Sequence, residues 1–397
     1  MKGAGGVAFL GASAAVLPLF STPDLHQNPA KCTTADTSAT DKRLVVSNWP
    51  AYVDSPGYYG KDAPSTIELF EQKFGVSVDY TADVNDNVEF FGKIKNLLGY
   101  CAPTGRDMMM LTDWMAARLI QLGWIQPLDA DAVPNVHSNI ISSLKAPDWD
   151  PERKYSAPWQ SGFTGIGYNS KYLAPPGTTG SDLPPAPTTI NELLTRPDLN
   201  GKVAVLTEMR DTMGLIMLGN GMDPAKFTPA DWTKAIGILK DAKDSGQIRA
   251  FEGNEYLNDL SAGNIYAAMV WSGDMAASGD PHMRYLVPEE GQMIWADNML
   301  IPNMSPHRTL AEEWINFYYQ PEIAARLCDY NYYISPVQGV QSYLEKLDPS
   351  LFKAKNKDLL NLILPDDDYL KQTHLFMALD EVQIRKYEGD FSDVSGV

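Results

Sequence analysis

From residue 43 onward, apolar positions along this chain alternate between two periods. Residues 44–48 (LVVSN) form a short β-rich run that ends at a turn. Residues 66–74 (TIELFEQKF) set Ile67, Leu69, Phe70 and Phe74 at helical spacing, and Gly75 supplies a helix stop. The alternation repeats with a strand at 76–80 and a helix at 87–98 that carries Val88, Phe91, Ile94 and Leu98 on one stripe. A strand at 107–111 and a helix from Asp113 to Leu122, closed by Gly123, complete the first set. A second set follows the Pro-rich loop 174–187, with strands at 203–206 and 267–271 and a strand-like run at 293–301 (MIWADNMLI). Its helices are predicted at 212–221, 228–245, 310–319 and 322–327. Thr228, Pro229 and Asp231 give the second of these a capping-box start with proline at the first helical position. Short strands alternating with longer helices predict an α/β fold with a parallel, doubly wound sheet in two lobes, and a cleft where the strands end.

The chain before residue 43 follows neither period. Residues 3–20 (GAGGVAFLGASAAVLPLF) are an uncharged run preceded by Lys2, with small residues in an A-x-A pattern at Ala12, Ser13 and Ala14. A polar stretch continues to about Asp41, so residues 1–42 read as an export signal and a disordered linker. No later run reaches 18 apolar residues, and the exported chain is expected to be soluble. Cys32, preceded by Pro-Ala-Lys, lacks the small and apolar neighbours expected before a lipid-bearing cysteine. Cys32, Cys101 and Cys328 allow one bridge, whose pairing the sequence leaves open.

Composition narrows the partners. The 397 residues include 32 Lys+Arg and 50 Asp+Glu, a formal net charge of −18, with 44% apolar and 21% charged residues. These are values of a folded globular chain. The acidity argues against a nucleic-acid partner, which would need basic patches to release counterions, and suits a cationic ligand.

The predicted strand ends sharpen that reading. Trp49 and Tyr52 follow the first strand, and Thr112, Asp113 and Trp114 follow the third. Glu208 and Asp211 follow the strand at 203–206, Trp271 and Asp274 end the strand at 267–271, and Trp295 and Asp297 lie on the run at 293–301. Singly, each is ordinary: a Trp anchors a core, and Asp113 or Asp211 can cap the next helix. Together they repeat one chemistry, an aromatic face with a carboxylate a few positions away. A π face attracts an ammonium by about 0.5–2 kcal/mol, and a carboxylate adds a charge-assisted hydrogen bond. An alkyl-amine is the ligand that such a box would hold.

Signals of catalysis are thin. The five His, at 26, 137, 282, 307 and 374, lack metal-ligand spacing, and no GxSxG, Walker or CxxC pattern occurs. We therefore expect no enzyme activity, no catalytic group, no metal and no cofactor. An anion site would want Arg or Lys at a helix N-terminus, and Arg210 is the only candidate near the cleft.

The chain from about 43 to 390 resembles the spermidine/putrescine-binding proteins of bacterial ABC importers. The resemblance rests on LVVSNWPAYV (44–53), FEQKFGVSVDY (70–80), DMMMLTDW (107–114), LGWIQPLD (122–129), APWQSGFTGIGYN (157–169), GKVAVLTEMRD (201–211), AAMVWSGD (267–274), EEGQMIWADNMLIP (289–302) and YYISPV (332–337). It implies a periplasmic-binding-protein type II fold with one lobe at 43–163 plus about 297–335 and the other at 164–296 plus about 336–397. It further implies a polyamine held between the lobes, delivery to the permease subunits of an importer, and a monomer exported to the periplasm or cell envelope.

Carried over by motif, Trp49 and Tyr52 would be walls of the first lobe, and Thr112 and Trp114 ligand contacts. Glu208 and Asp211 would form an acidic pair, and Trp271 a wall of the second lobe. Asp297, after Trp295, would pair with a charged nitrogen, and Tyr333 would be a late aromatic contact. Gln372 is a loose match to a C-terminal contact. Where the family usually carries an acidic residue, this chain has Ala51, and Asp113 or Asp274 is a candidate replacement. Putrescine, spermidine and modified or guanidino amines stay open, as do an amino acid, a sugar, an anion and a sensor role. Ionised carboxylates would make amine binding insensitive to pH between 6 and 8.

Overall fold

The structure is a computed structural model that describes residues 32–396. Its strands are β1 (Arg43–Asn48), β2 (Ser77–Ala82), β3 (Met108–Thr112), β4 (Ala157–Asn169), β5 (Val203–Leu206), β6 (Ile248–Glu252), β7 (Ala267–Trp271), β8 (Met283–Leu286), β9 (Gln292–Leu300) and β10 (Thr373–His374). They join in one sheet of order β2-β1-β3-β9-β4-β7-β5-β6, with β10 on β9 and β8 on β4. The pairs β1/β2, β1/β3, β5/β6 and β5/β7 are parallel, as the alternation of strands and helices predicts.

The sheet is nonetheless mixed, which corrects the expectation of a parallel one. β9 runs antiparallel to β3 and β4, and β4 antiparallel to β7 and β8. β4 is buried at all thirteen positions, and its Gly162, Gly165, Gly167 and polar Gln160, Ser161 and Thr164 interrupt any apolar period. Periodicity therefore passes over the strand that, with β9, joins the two parallel blocks.

Local signals hold where they are chemical. The helix Thr66–Phe74 starts at a Ser65/Glu68 capping box and stops at Gly75 in the left-handed region (φ 65°). The helix Pro229–Asp244 has the Thr228/Asp231 box. Helices Met209–Gly219, Arg308–Tyr318 and Pro321–Asn331 cover the sheet, and Trp159, Trp232, Trp314 and Phe70 are fully buried in its core. No helix among the described residues is long and apolar enough to cross a membrane.

The signal-like run at 3–20 lies outside the described residues. The disordered-linker reading fails from Cys32 onward. Cys32 is bonded to Cys101, the Thr37 amide donates to the Pro306 carbonyl at 2.7 Å, and Asp36 accepts from the amide and hydroxyl of Thr309. Polar composition hid this segment because hydrogen bonds and a disulfide hold it. Cys328 is a buried free thiol.

Candidate functional site

Strand register builds the site. β3 sets Thr112 opposite Asp297, while β4 sets Gly162 opposite Trp295 and Thr164 opposite Trp271. The ends of β1, β3, β5 and β7 therefore converge on the crossing of β4 and β9. A cleft of about 510 Å³ opens there, and all twelve residues named from the sequence (Trp49, Tyr52, Thr112, Asp113, Trp114, Glu208, Asp211, Trp271, Asp274, Trp295, Asp297 and Tyr333) line it.

Three carboxylates are held by neutral donors alone. Asp297 accepts from the Tyr52 hydroxyl at 2.7 Å and the Thr112 hydroxyl at 2.8 Å. Asp211 accepts from the Thr164 hydroxyl at 2.8 Å and the Trp271 indole at 3.1 Å. Asp274 accepts from the hydroxyls of Tyr256 and Tyr333, both at 2.8 Å, and from the side-chain amide of Asn254. Burial pushes the carboxyl of Asp297 up to about 7 and that of Asp211 up to about 6, and raises Asp274. None of the three forms an ion pair among the described residues; Arg210 acts on Asp211 only at longer range. A buried anion of this kind calls for a positive partner.

Aromatic rings stand between these carboxylates. Trp49 meets Trp271 edge-on with centroids 5.8 Å apart, and Tyr333 meets Tyr52 and Trp295 edge-on, each at 5.3 Å. Glycine makes room for them. A Cβ at Gly162 would stand 2.7 Å from both Trp295 and Tyr333, and one at Gly273 would stand 2.6 Å from the Tyr333 ring and the Asn331 carbonyl. Strand and helix backbone thus form the floor beneath the rings.

Asp113 and Glu208 lie in the cleft but answer partly to the protein itself. Asp113 accepts from Asn298 at 2.6 Å, and Asn298 in turn accepts from the Arg153 guanidinium at 3.0 Å. Burial raises Asp113 to about 6 although Arg153 offsets part of the rise. Glu208 accepts from the Asn87 amide at 2.6 Å and its side chain at 2.8 Å, a bond between the two parallel blocks. Burial, with Asp86 nearby, pushes Glu208 well above its usual range. Neither Asp113 nor Asp211 caps a helix, because the N-cap positions are Thr112 and Glu208.

Ala51 is exposed in the left-handed region (φ 58°) beside cleft-lining Pro50. Gln372 is corrected: it sits exposed on a turn, and its backbone carbonyl accepts from Gln292. Sequence reasoning missed Thr164, Asn254 and Tyr256, which serve Asp211 and Asp274 from β4 and from the chain around the helix Tyr256–Ala262. It also missed the wall formed by residues 375–379 and Ile384 and, although Arg210 was placed near the cleft, the stacking of its guanidinium 3.3 Å from the centroid of Trp114. An aromatic-plus-acid search finds none of these, since their contacts join distant parts of the chain.

Bacterial extracellular solute-binding proteins match residues 65–355 as a family. The chain belongs to that family. The putrescine-binding periplasmic protein of Escherichia coli is 27% identical over 313 residues, which are 75% of this chain and 78% of that protein. The putrescine/agmatine-binding protein of Pseudomonas aeruginosa is 27% identical over 343 residues, 81% and 87% of the two chains. Among solved structures, the spermidine/putrescine ABC transporter substrate-binding protein of Streptococcus pneumoniae superposes with a TM-score of 0.65 at 22% identity, covering 90% of this chain and 99% of that one. Such neighbours share the periplasmic-binding-protein type II fold. This is a family of solute-binding transport proteins.

Proposed function

We propose that this chain captures a polyamine in the cleft and presents it to the permease subunits of an ABC importer, with no chemical step. The observation that carries the reading is the set of three buried carboxylates, Asp211, Asp274 and Asp297, held by neutral donors inside a Trp and Tyr box. Ammonium groups would give those carboxylates their missing counter-charge, and the rings would cover the methylenes between them. The names of the putrescine- and agmatine-binding relatives agree with this chemistry.

In this reading Trp49, Trp271, Trp295 and Tyr333 are walls, and Tyr52 and Thr112 orient Asp297. Asp274, bonded to three donors, stands in for the acid absent at Ala51. The first lobe comprises 43–163 plus about 297–335 and the second 164–296 plus about 336–397, so the chain crosses between the lobes within β4, within β9 and again near residue 335. The Asn87–Glu208 bond then links the lobes across the cleft. The protein acts as an exported monomer, outside the cytoplasm, and does not bind nucleic acid.

A melting panel tests the class of ligand. Putrescine, spermidine or agmatine is expected to raise the Tm at pH 7.5, while alanine and glucose leave it unchanged. A rise with alanine or glucose and none with any amine would replace this reading with a different solute on the same fold.

A further inference from the structure

The Trp114 face of the cleft already holds a cation. The Arg210 guanidinium lies 3.3 Å from the ring centroid, while Trp114 and Arg210 both line the cleft. Arg210 is 7% exposed, and its Nη1 stands 3.7 Å from Glu388 Oε1 on the helix Glu381–Ser395. Glu388 Oε2 is also 3.8 Å from Nη1 of Arg118, which stacks on Phe91 at 4.4 Å and whose Nε is 3.3 Å from Glu381. The guanidinium is thus pinned between an aromatic wall and a C-terminal helix that lies beyond residue 355, where the family match ends. Across the cleft, Arg153 serves Asp113 through Asn298 in a comparable way.

Resting on the amine reading above, we infer that Arg210 is a built-in cation that occupies the Trp114 seat and sets the cleft for a short diamine against a longer triamine. Two ammonium ends find the three carboxylates Asp211, Asp274 and Asp297. A third ammonium pushed toward Trp114 meets a like charge on a ring whose face is already covered. Volume is not the filter, since about 510 Å³ has room for the longer chain. Discrimination by repulsion of the unwanted ligand needs only one such group.

Titration calorimetry with 1,3-diaminopropane, putrescine, cadaverine, spermidine and γ-aminobutyrate tests the idea. The unmodified protein is expected to bind its best diamine at least tenfold more tightly than spermidine. Arg210→Met, which keeps the stem and removes the charge, is expected to shrink or reverse that ratio. Spermidine binding as tightly as any diamine, or an unchanged ratio in folded Arg210→Met, overturns the inference but leaves the amine reading standing. γ-Aminobutyrate binding more tightly than every diamine overturns the inference as well, making Arg210 a counter-ion for a ligand carboxylate, and replaces the polyamine with an amino acid as the ligand. No amine bound by the unmodified protein overturns both. If Arg210→Met fails to fold, the series on the unmodified protein decides alone.

Discussion

Asp297 shows how burial becomes binding chemistry. With only two hydroxyls on its oxygens, burial pushes its carboxyl up to about 7, and a bound ammonium would supply the counter-charge. Asp297→Asn keeps the shape and removes the charge. Amine affinity is expected to fall at least about 30-fold, the scale of about 2–5 kcal/mol for unpairing a buried charge, with the circular dichroism spectrum unchanged. The raised carboxyls of Asp211 and Asp297 correct the expected insensitivity to pH between 6 and 8. With Asp211 at about 6 and Asp297 at about 7, these groups take up protons across that range, and an ammonium requires them ionised. Affinity should therefore weaken from pH 8 to pH 6, with proton release on binding measurable by titration in buffers of different ionisation enthalpy. An affinity flat over that range would mean that these carboxylates do not meet the ligand. Gly273 offers a test free of charge effects. Gly273→Ala brings a methyl 2.6 Å from Tyr333, the donor to Asp274, and should weaken amine binding roughly tenfold or more by titration.

At the scale of elements, legibility followed the kind of signal. The strands at 203–206 and 267–271 and the helix at 66–74 match the structure residue for residue, because branched or amphipathic runs with a clear stop fix them locally. β4 and β6 left no such trace. β4 is buried on both faces and rich in glycine, while β6 (IRAFE) is too short and mixed to show a period. Tyr333 came from the family resemblance alone, while the other cleft-lining aromatics and acids were legible because α/β folds place their sites at strand ends. Arg210 on Trp114 and Tyr256 under Asp274 were not, since no local spacing encodes a contact between separate elements. The segment from Cys32 to Asp41 belongs to this scale too. Its disulfide spans 69 residues, a closure worth about 4 kcal/mol in the chain-entropy account. Cys101→Ser should lower the Tm by several degrees in a melting scan and leave the amine Kd unchanged, because neither cysteine lines the cleft.

Across the whole molecule, the site works against the fold that carries it. Carboxylates raised by burial bind more protons in the native than in the unfolded chain between about pH 4 and 7, so their contribution to stability falls as pH rises through that window. The ligand-free protein should gain stability from these groups at pH 5.5 relative to 7.5, and putrescine should raise the Tm more at 7.5 than at 5.5. Paired melting curves with and without putrescine at both pH values measure this directly. A net charge of −18 belongs to the same arrangement, since it draws cations toward the molecule. Within that field, the mixed sheet brings two parallel blocks together at β4 and β9, and the register there holds three carboxylates among rings. The most direct test is isothermal titration of putrescine into the unmodified protein and into Asp297→Asn at pH 7.5. One-to-one binding to the first, at least 30-fold weaker in a folded second, is the predicted result. Equal affinity in both, or no heat from a folded and ligand-free unmodified protein, would contradict the assignment of this cleft to an amine.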